Sequence, residues 1–351
     1  METTSTAEAT QYSHPNSEVR HSYPLAIRDA SFGVARDLLM KTMPYAMVRF
    51  GILVGCTVAA IIWSVLAFGG WAWLSRFSGA VGFVWFLFFC AVGGWFWRTL
   101  IRYALYMIKA GHIAVITELV TRGEVGNGSE GMFEYGKRVV TERFGQMNAM
   151  FALDMLVHGV VLSFNRTLDW IANLLPIPGL SNVTAIINQI VRASTTYIDE
   201  TILSYSLARG DDNNFRSSRD GLIYYAQNSK EVLMTGVKIV LLDKVIMFGV
   251  WVVMLVPAAL IAMILPNAPL VQLAPLFFAW LLASNVRGAF LEPLFLIMIM
   301  TKFHVCAQGQ PINMEWDARL TSVSDKFVEL KDKIAAGSAT PATLQSQSTA
   351  S

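Results

Sequence analysis

Nine residues carry the side chains most able to do chemistry, and each lies in a stretch that is otherwise apolar: Asp154, His158, Asn188, Arg192, Thr195, Thr196, Asp199, Arg287 and Glu292. Between Asn182 and Ala208, Asn188, Arg192, Thr195, Thr196 and Asp199 recur at helical spacing and draw one polar stripe along the segment. Asp154 and His158 stand at i and i+4, so a helix over 147–164 puts both on one face. Asn285, Gly288 and Glu292 share a face further on, with Arg287 beside them. A charged side chain near the centre of a bilayer costs on the order of 2.5–3.5 kcal/mol, so such groups must turn towards one another or towards enclosed water. Two readings are open. One is a polar pathway for a small polar or cationic solute, with Asp154, Asp199 or Glu292 exchanging a proton and Asp154 paired to Arg192. The other is a set of buried ion pairs and hydrogen bonds that fix helix register.

Other chemistries find less support. Gly126 to Gly131 matches GxGxxG, but it lacks the strand-to-helix setting that a nucleotide fingerprint needs and reads as a hydrophilic linker. His14, His21, His112, His158 and His304 neither pair at i, i+4 nor gather at ligand spacing, so no metal is expected. Cys56, Cys90 and Cys306 form no CxxC pair, and the two inside predicted spans, Cys56 and Cys90, read as small apolar fillers. With no nucleophile–base–orienter set, the chain is not expected to be an enzyme, and no cofactor is implied. A net charge of +2 without a dense basic block sets nucleic acid aside.

The elements that must position the polar residues follow from composition. The 351 residues are 54% hydrophobic and 15% charged, with a mean hydropathy of +0.47, against about 45–50% and about 25% in soluble domains. The excess clusters at 50–68, 80–97, 245–265 and 272–300, each near the roughly 17–25 residues that span hydrocarbon. Long continuous runs of this kind satisfy the backbone as helices, which predicts an all-α transmembrane bundle. With 147–164 and 182–208 as spans 3 and 4, six spans are expected; if those two lie at the interface, four remain. Lys and Arg concentrate in 98–146, 206–244, the segment beyond 301 and the first 45 residues, which puts both termini on the cytoplasmic side of a plasma or bacterial inner membrane.

Further expectations complete this layout. Residues 1–23 form a disordered tail, 24–48 an interfacial helix, 49–305 the transmembrane domain with cytoplasmic segments 98–146 and 206–244, and 306–351 a cytoplasmic tail. Arg98, Arg102 and Lys109 fall on one helical stripe suited to lipid phosphates. Most tryptophans, including Trp63, Trp71, Trp73, Trp85, Trp95 and Trp97, read as interfacial belts. The bilayer is the expected partner, alongside a small solute, a second copy or another membrane protein. The sequons at Asn165 and Asn182 matter only in a eukaryotic secretory pathway.

One region resembles a known family. Tyr197-Ile198, Phe215 with Ser218-Arg219-Asp220, and Leu242-Asp243-Lys244-Val245 leading into a span are similar to segments of the choline transporter-like proteins, as is the layout of Phe290 and Leu294-Phe295 before the final segment. The resemblance covers at most the C-terminal 150 or so residues. It implies passage of choline or a related small cation and carries no substrate-contacting residue across. The family has about ten spans and a large extracellular loop, neither of which this chain has room for. The remaining alternative is a membrane scaffold or assembly factor whose segments 98–146 and 206–244 bind a partner or anionic lipid.

Overall fold

The computed structural model describes residues 23–144, 147–167, 197–210, 213–264 and 269–338. Every regular element among them is helical, so the all-α class holds. A strap over residues 23–30 leads into α1 (Phe32–Lys41), α2 (Met43–Leu74), α3 (Gly79–Phe96), α4 (Arg102–Thr121), α5 (Met132–Phe144) and α6 (Met147–Asn165). Residues 197–209 form α7. Then come α8 (Asn214–Gln227), α9 (Ser229–Ile264), α10 (Pro269–Val286), α11 (Glu292–Ala307), α12 (Met314–Val323) and α13 (Asp325–Ser338).

Two antiparallel hairpins, α2/α3 and α9/α10, carry almost all of the exposed large apolar side chains. Ile62, Val65, Phe83, Val84 and Phe88 mark the first, and Val245, Phe248, Val253, Met263 and Phe277 the second. An aqueous surface of this extent is unstable, so hydrocarbon is the solvent for these faces. Five helical stretches, 43–74, 79–96, 104–121, 229–260 and 275–307, are long and apolar enough to cross a membrane, and the chain is a membrane-embedded helical protein. The α2/α3 contact is close because tryptophans lie over glycines. The Trp63 indole covers Gly93 and donates to the Phe89 carbonyl at 3.1 Å, while Trp85 covers Gly70 and donates to Leu66. Each indole N–H finds a backbone acceptor on the neighbouring helix, which the apolar surroundings make worthwhile.

The same succession occurs twice. The outgoing helices α2 and α9 begin in a helical body and leave it. The returning helices α3 and α10 re-enter it through five-residue π-helical turns, Trp97–Ile101 and Arg287–Leu291, and continue as the buried helices α4 and α11. Wide turns of this type concentrate at functional sites and absorb an extra residue without breaking the helix.

The six expected spans are not confirmed. Six spans are not reached among the described residues. α6, expected as span 3, packs Leu153, Leu156, Val157, Val160, Val161 and Phe164 against α8, α12 and α13. Those covering helices hold Arg219, Asp317, Lys326 and Lys331, which lipid would not accept, so the apolar run of α6 is a protein core. Most of expected span 4 lies outside the described residues. α4 is covered by the charged α5, and α11 by α1 and α8. The interfacial face expected over 24–48 is likewise closed by protein: Ala35, Leu38 and Leu39 of α1 lie against α11. The segment expected as a tail from 306 instead folds into α12 and α13, whose Leu320, Phe327 and Leu330 are fully buried.

Local signals explain the joints. Ser31, Asn213 and Asn313 cap α1, α8 and α12 by accepting from backbone amides. The glycine run between α4 and α5 is a turn: Gly123, Gly126 and Gly128 take positive φ, and Arg138 of α5 reaches back to Glu130 at 2.7 Å. That is the linker reading of the GxGxxG match.

Candidate functional site

Charge collects where the hairpins meet the body. Arg287, in the second π-turn, donates through Nε to Asp243 of α9 at 2.9 Å and through Nη1 to Glu292 at 3.5 Å. Glu292 also accepts from Arg49 of α2 at 2.5 Å. The chain Asp243–Arg287–Glu292–Arg49 therefore ties both outgoing helices to the second returning one. One turn deeper in the apolar layer, Asn285 donates to the Thr57 hydroxyl at 2.9 Å, the same α2–α10 contact carried on by neutral groups. Gly288 permits the approach, since a side chain there would press on Leu53.

A second cluster lies inside the body. Lys109 of α4 pairs with Glu200 of α7, and His158 of α6 lies 3.3 Å from Asp199. Asp154 and Asp199 share a void of about 10 Å³ with Tyr106 and Ser218, little more than one water in size. Burial, followed by the Asp199 charge, pushes the Asp154 carboxyl up from its ordinary 3.8 to about 6, against the pull of Lys109 and His158. The hydrogen bond that His158 donates to Asp199 raises the His158 imidazole, with burial opposing it. Burial also pushes the Tyr197 phenol up, and the nearby Glu292 adds to that.

The sequence-expected residues thus fall into separate places. Arg287 and Glu292 meet at the hairpin edge, and Asp154, His158 and Asp199 meet in the body. Asn188, Arg192, Thr195 and Thr196 lie outside the described residues, and with them the expected Asp154–Arg192 pair. The Arg98 and Arg102 side chains are also outside the described set, while Lys109 turns inward to Glu200 instead of onto headgroups. Among the described residues no three His, Cys, Asp or Glu side chains converge as metal ligands. Asn165 of the first sequon is buried and accepts from the Tyr225 hydroxyl at 2.6 Å.

Three groups of residues were not read as site residues in the sequence, although Asp243 and Ser218-Arg219-Asp220 carried the resemblance. Arg49 and Asp243 are the distant partners of Glu292 and Arg287, and a sequence offers no register between helices so far apart. Asp220 is nearly fully buried and held by Arg209 at 2.7 Å, while Arg219 bridges to Asp317 at 3.1 Å, so the Ser218-Arg219-Asp220 motif fastens α8 to α7 and α12. A polar relay also crosses the core. The Thr117 and Ser204 hydroxyls lie 2.7 Å apart, the Ser204 hydroxyl lies 2.9 Å from His304 Nε2, and His304 Nδ1 lies 2.8 Å from the Tyr23 hydroxyl. The relay pins the strap to α4, α7 and α11, with Thr117, Ser204 and His304 buried and Tyr23 partly so.

No family model, curated protein or solved structure matches the chain.

Proposed function

We propose that this protein is a non-transporting membrane scaffold: two apolar hairpins hold a helical body against one face of a bilayer, and the body offers its surface to a partner. The observation that carries this reading is the position of the ionisable groups. Asp154, His158, Asp199 and Glu292, expected to line a route between spans, occur among the described residues only in the body or at its junction with the hairpins. There each lies against another polar group or a void of one water, while the apolar stretches of both hairpins hold hydroxyls and the two amides Gln272 and Asn285, with no run of charges. The Lys/Arg excess in 98–146 and 206–244 supports a cytoplasmic side for the body.

Transport of a small cation, choline included, is the opposing reading, and liposome flux separates the two. Liposomes holding the purified full-length chain are expected to show no uptake of choline, potassium or protons above protein-free vesicles. The protein in those liposomes should keep its helical circular dichroism. Flux that Asp199→Asn or Arg287→Gln abolishes without loss of helicity would overturn the scaffold reading.

A further inference from the structure

The hairpins do not close on each other completely. Between α2 and α10 runs a groove of about 390 Å³, within the size range of sites that hold one small amphiphile. Its floor is the Thr57–Asn285 hydrogen bond, Ile61, Leu281 and Phe278 form its sides, and Trp97 stands at its foot. It follows α2 from residue 53 to residue 65, which is about 18 Å of helix and close to the depth of one leaflet, half of a hydrocarbon core of about 30 Å. The wall is apolar, and Ala60, Ser64 and Val65 open it sideways to the bilayer.

The foot of the groove meets the charged edge. Arg49 lies one helical turn before Leu53, and Arg287 follows Asn285 by two residues. Lys244 is exposed at the same level, beside the apolar Leu241 and Val245 that face lipid. Arg49 pairs with Glu292 and Arg287 with Asp243, which leaves Lys244 as the cation of this edge without an ion pair among the described residues. The Arg49 and Arg287 side chains stay 17% and 39% exposed beside their carboxylate partners. A part-exposed guanidinium gains from an added anion, because its remaining N–H groups make charge-assisted bonds to phosphate.

We propose that this groove binds one anionic phospholipid, its acyl chain along residues 53–65 of α2 and its phosphate at Arg49, Arg287 and Lys244. The apolar length accounts for the chain, and the charged edge accounts for the head. This goes beyond the scaffold reading and does not depend on it, because a transporter could hold such a lipid equally well.

Native mass spectrometry of the full chain in detergent tests the site, with phosphatidylglycerol and phosphatidylcholine of identical chains as probes. A one-to-one phosphatidylglycerol adduct is expected, retained at least tenfold over phosphatidylcholine. Ala60→Trp fills the groove from its open side and should cut that adduct about tenfold while leaving helicity intact, with Ser64→Phe as a second filler. Lys244→Gln should lower the preference for the anionic head severalfold. Equal retention of both lipids, an undiminished adduct in both filled variants, or displacement of the lipid by inorganic phosphate at equal concentration would each overturn the proposal. So would a lipid-free dimer that Ala60→Trp dissociates, since a second copy would then be the occupant.

Discussion

α3 and α4 follow each other in the chain, are joined by a five-residue turn, and are both apolar enough to cross a membrane, yet 6% of one window is buried in protein and 67% of the other. The difference lies in their minority residues. α3 has no Asp, Glu, Lys, Arg or His, and its Gly82 and Gly93 receive neighbouring side chains. α4 holds Lys109, His112, Thr117 and Glu118, each of which needs protein around it: Glu200 takes Lys109, Ser204 takes Thr117, and the Tyr45 ring stacks on His112 at 4.9 Å between centroids. Apolar content therefore says that a helix must leave water. Its few polar side chains say whether lipid or protein receives it.

The sharpest way to break this comparison is topological. In a variant whose native cysteines are replaced, a single cysteine at Phe77, in the α2–α3 turn, and one at the exposed Met155 of α6 should react with an impermeant thiol reagent from opposite faces of sealed vesicles. Labelling of both from one face would return α6 to the membrane and sink the separation of layer from body.

A smaller effect separates the two regions by packing. At Gly136 of α5 an added methyl would lie 2.8 Å from the Gly111 carbonyl oxygen of α4 and closer still to the Tyr45 hydroxyl, and backbone cannot yield there. Gly136→Ala should destabilise the solubilised protein by about 1–3 kcal/mol. Gly94→Ala in α3 meets nothing within 4 Å and should be neutral or stabilising by a few tenths up to about 1 kcal/mol, since it removes backbone freedom from the unfolded chain. Thermal unfolding in detergent measures both, and equal losses would argue that α3 is packed as tightly as α5.

The smallest expected effect depends on pH and is confined to the body. The raised Asp154 carboxyl favours the folded state most fully below its ordinary 3.8, and that contribution is lost as pH rises through about 6. His158, also raised, acts in the same direction. Stability should therefore increase from pH 7.5 to pH 5. Asp154→Asn should raise stability at pH 7.5 by about 1–2 kcal/mol and flatten much of the slope, leaving the part due to His158. An unchanged slope in that variant would remove Asp154 from the cluster.

Much of this was legible in the chain itself. The hairpin α2/α3, the apolar halves of α9 and α10 and the linker at Gly126 follow from unbroken apolar runs and from glycine spacing. The place of α6 was not legible for a definite reason: its apolar side is covered by Leu320, Phe327 and Leu330 from a segment more than 150 residues away, and a sequence does not say which distant helix covers which. Arg287 and Glu292 were visible as costly residues, but a cost does not name a partner, and Arg49 and Asp243 became partners only through the packing of α2 and α9. Tyr23 lay at the edge of a polar tail with no periodicity to mark it, and only the fold brings it to His304.

The paired π-turns bear on how the chain tolerates insertions and deletions. Each ordinary helical residue turns the chain by about 100°, so a residue removed from Arg287–Leu291 would swing all of α11 by roughly that angle. Phe295, Phe303 and His304 would then face outward while the lipid-facing side of α10 stayed put. The wide turn works as a fixed gear between two solvents, matching the side that suits hydrocarbon to the side that suits a protein interior. Changes in helix length should accordingly be far better tolerated at the distal ends of the hairpins than across either turn.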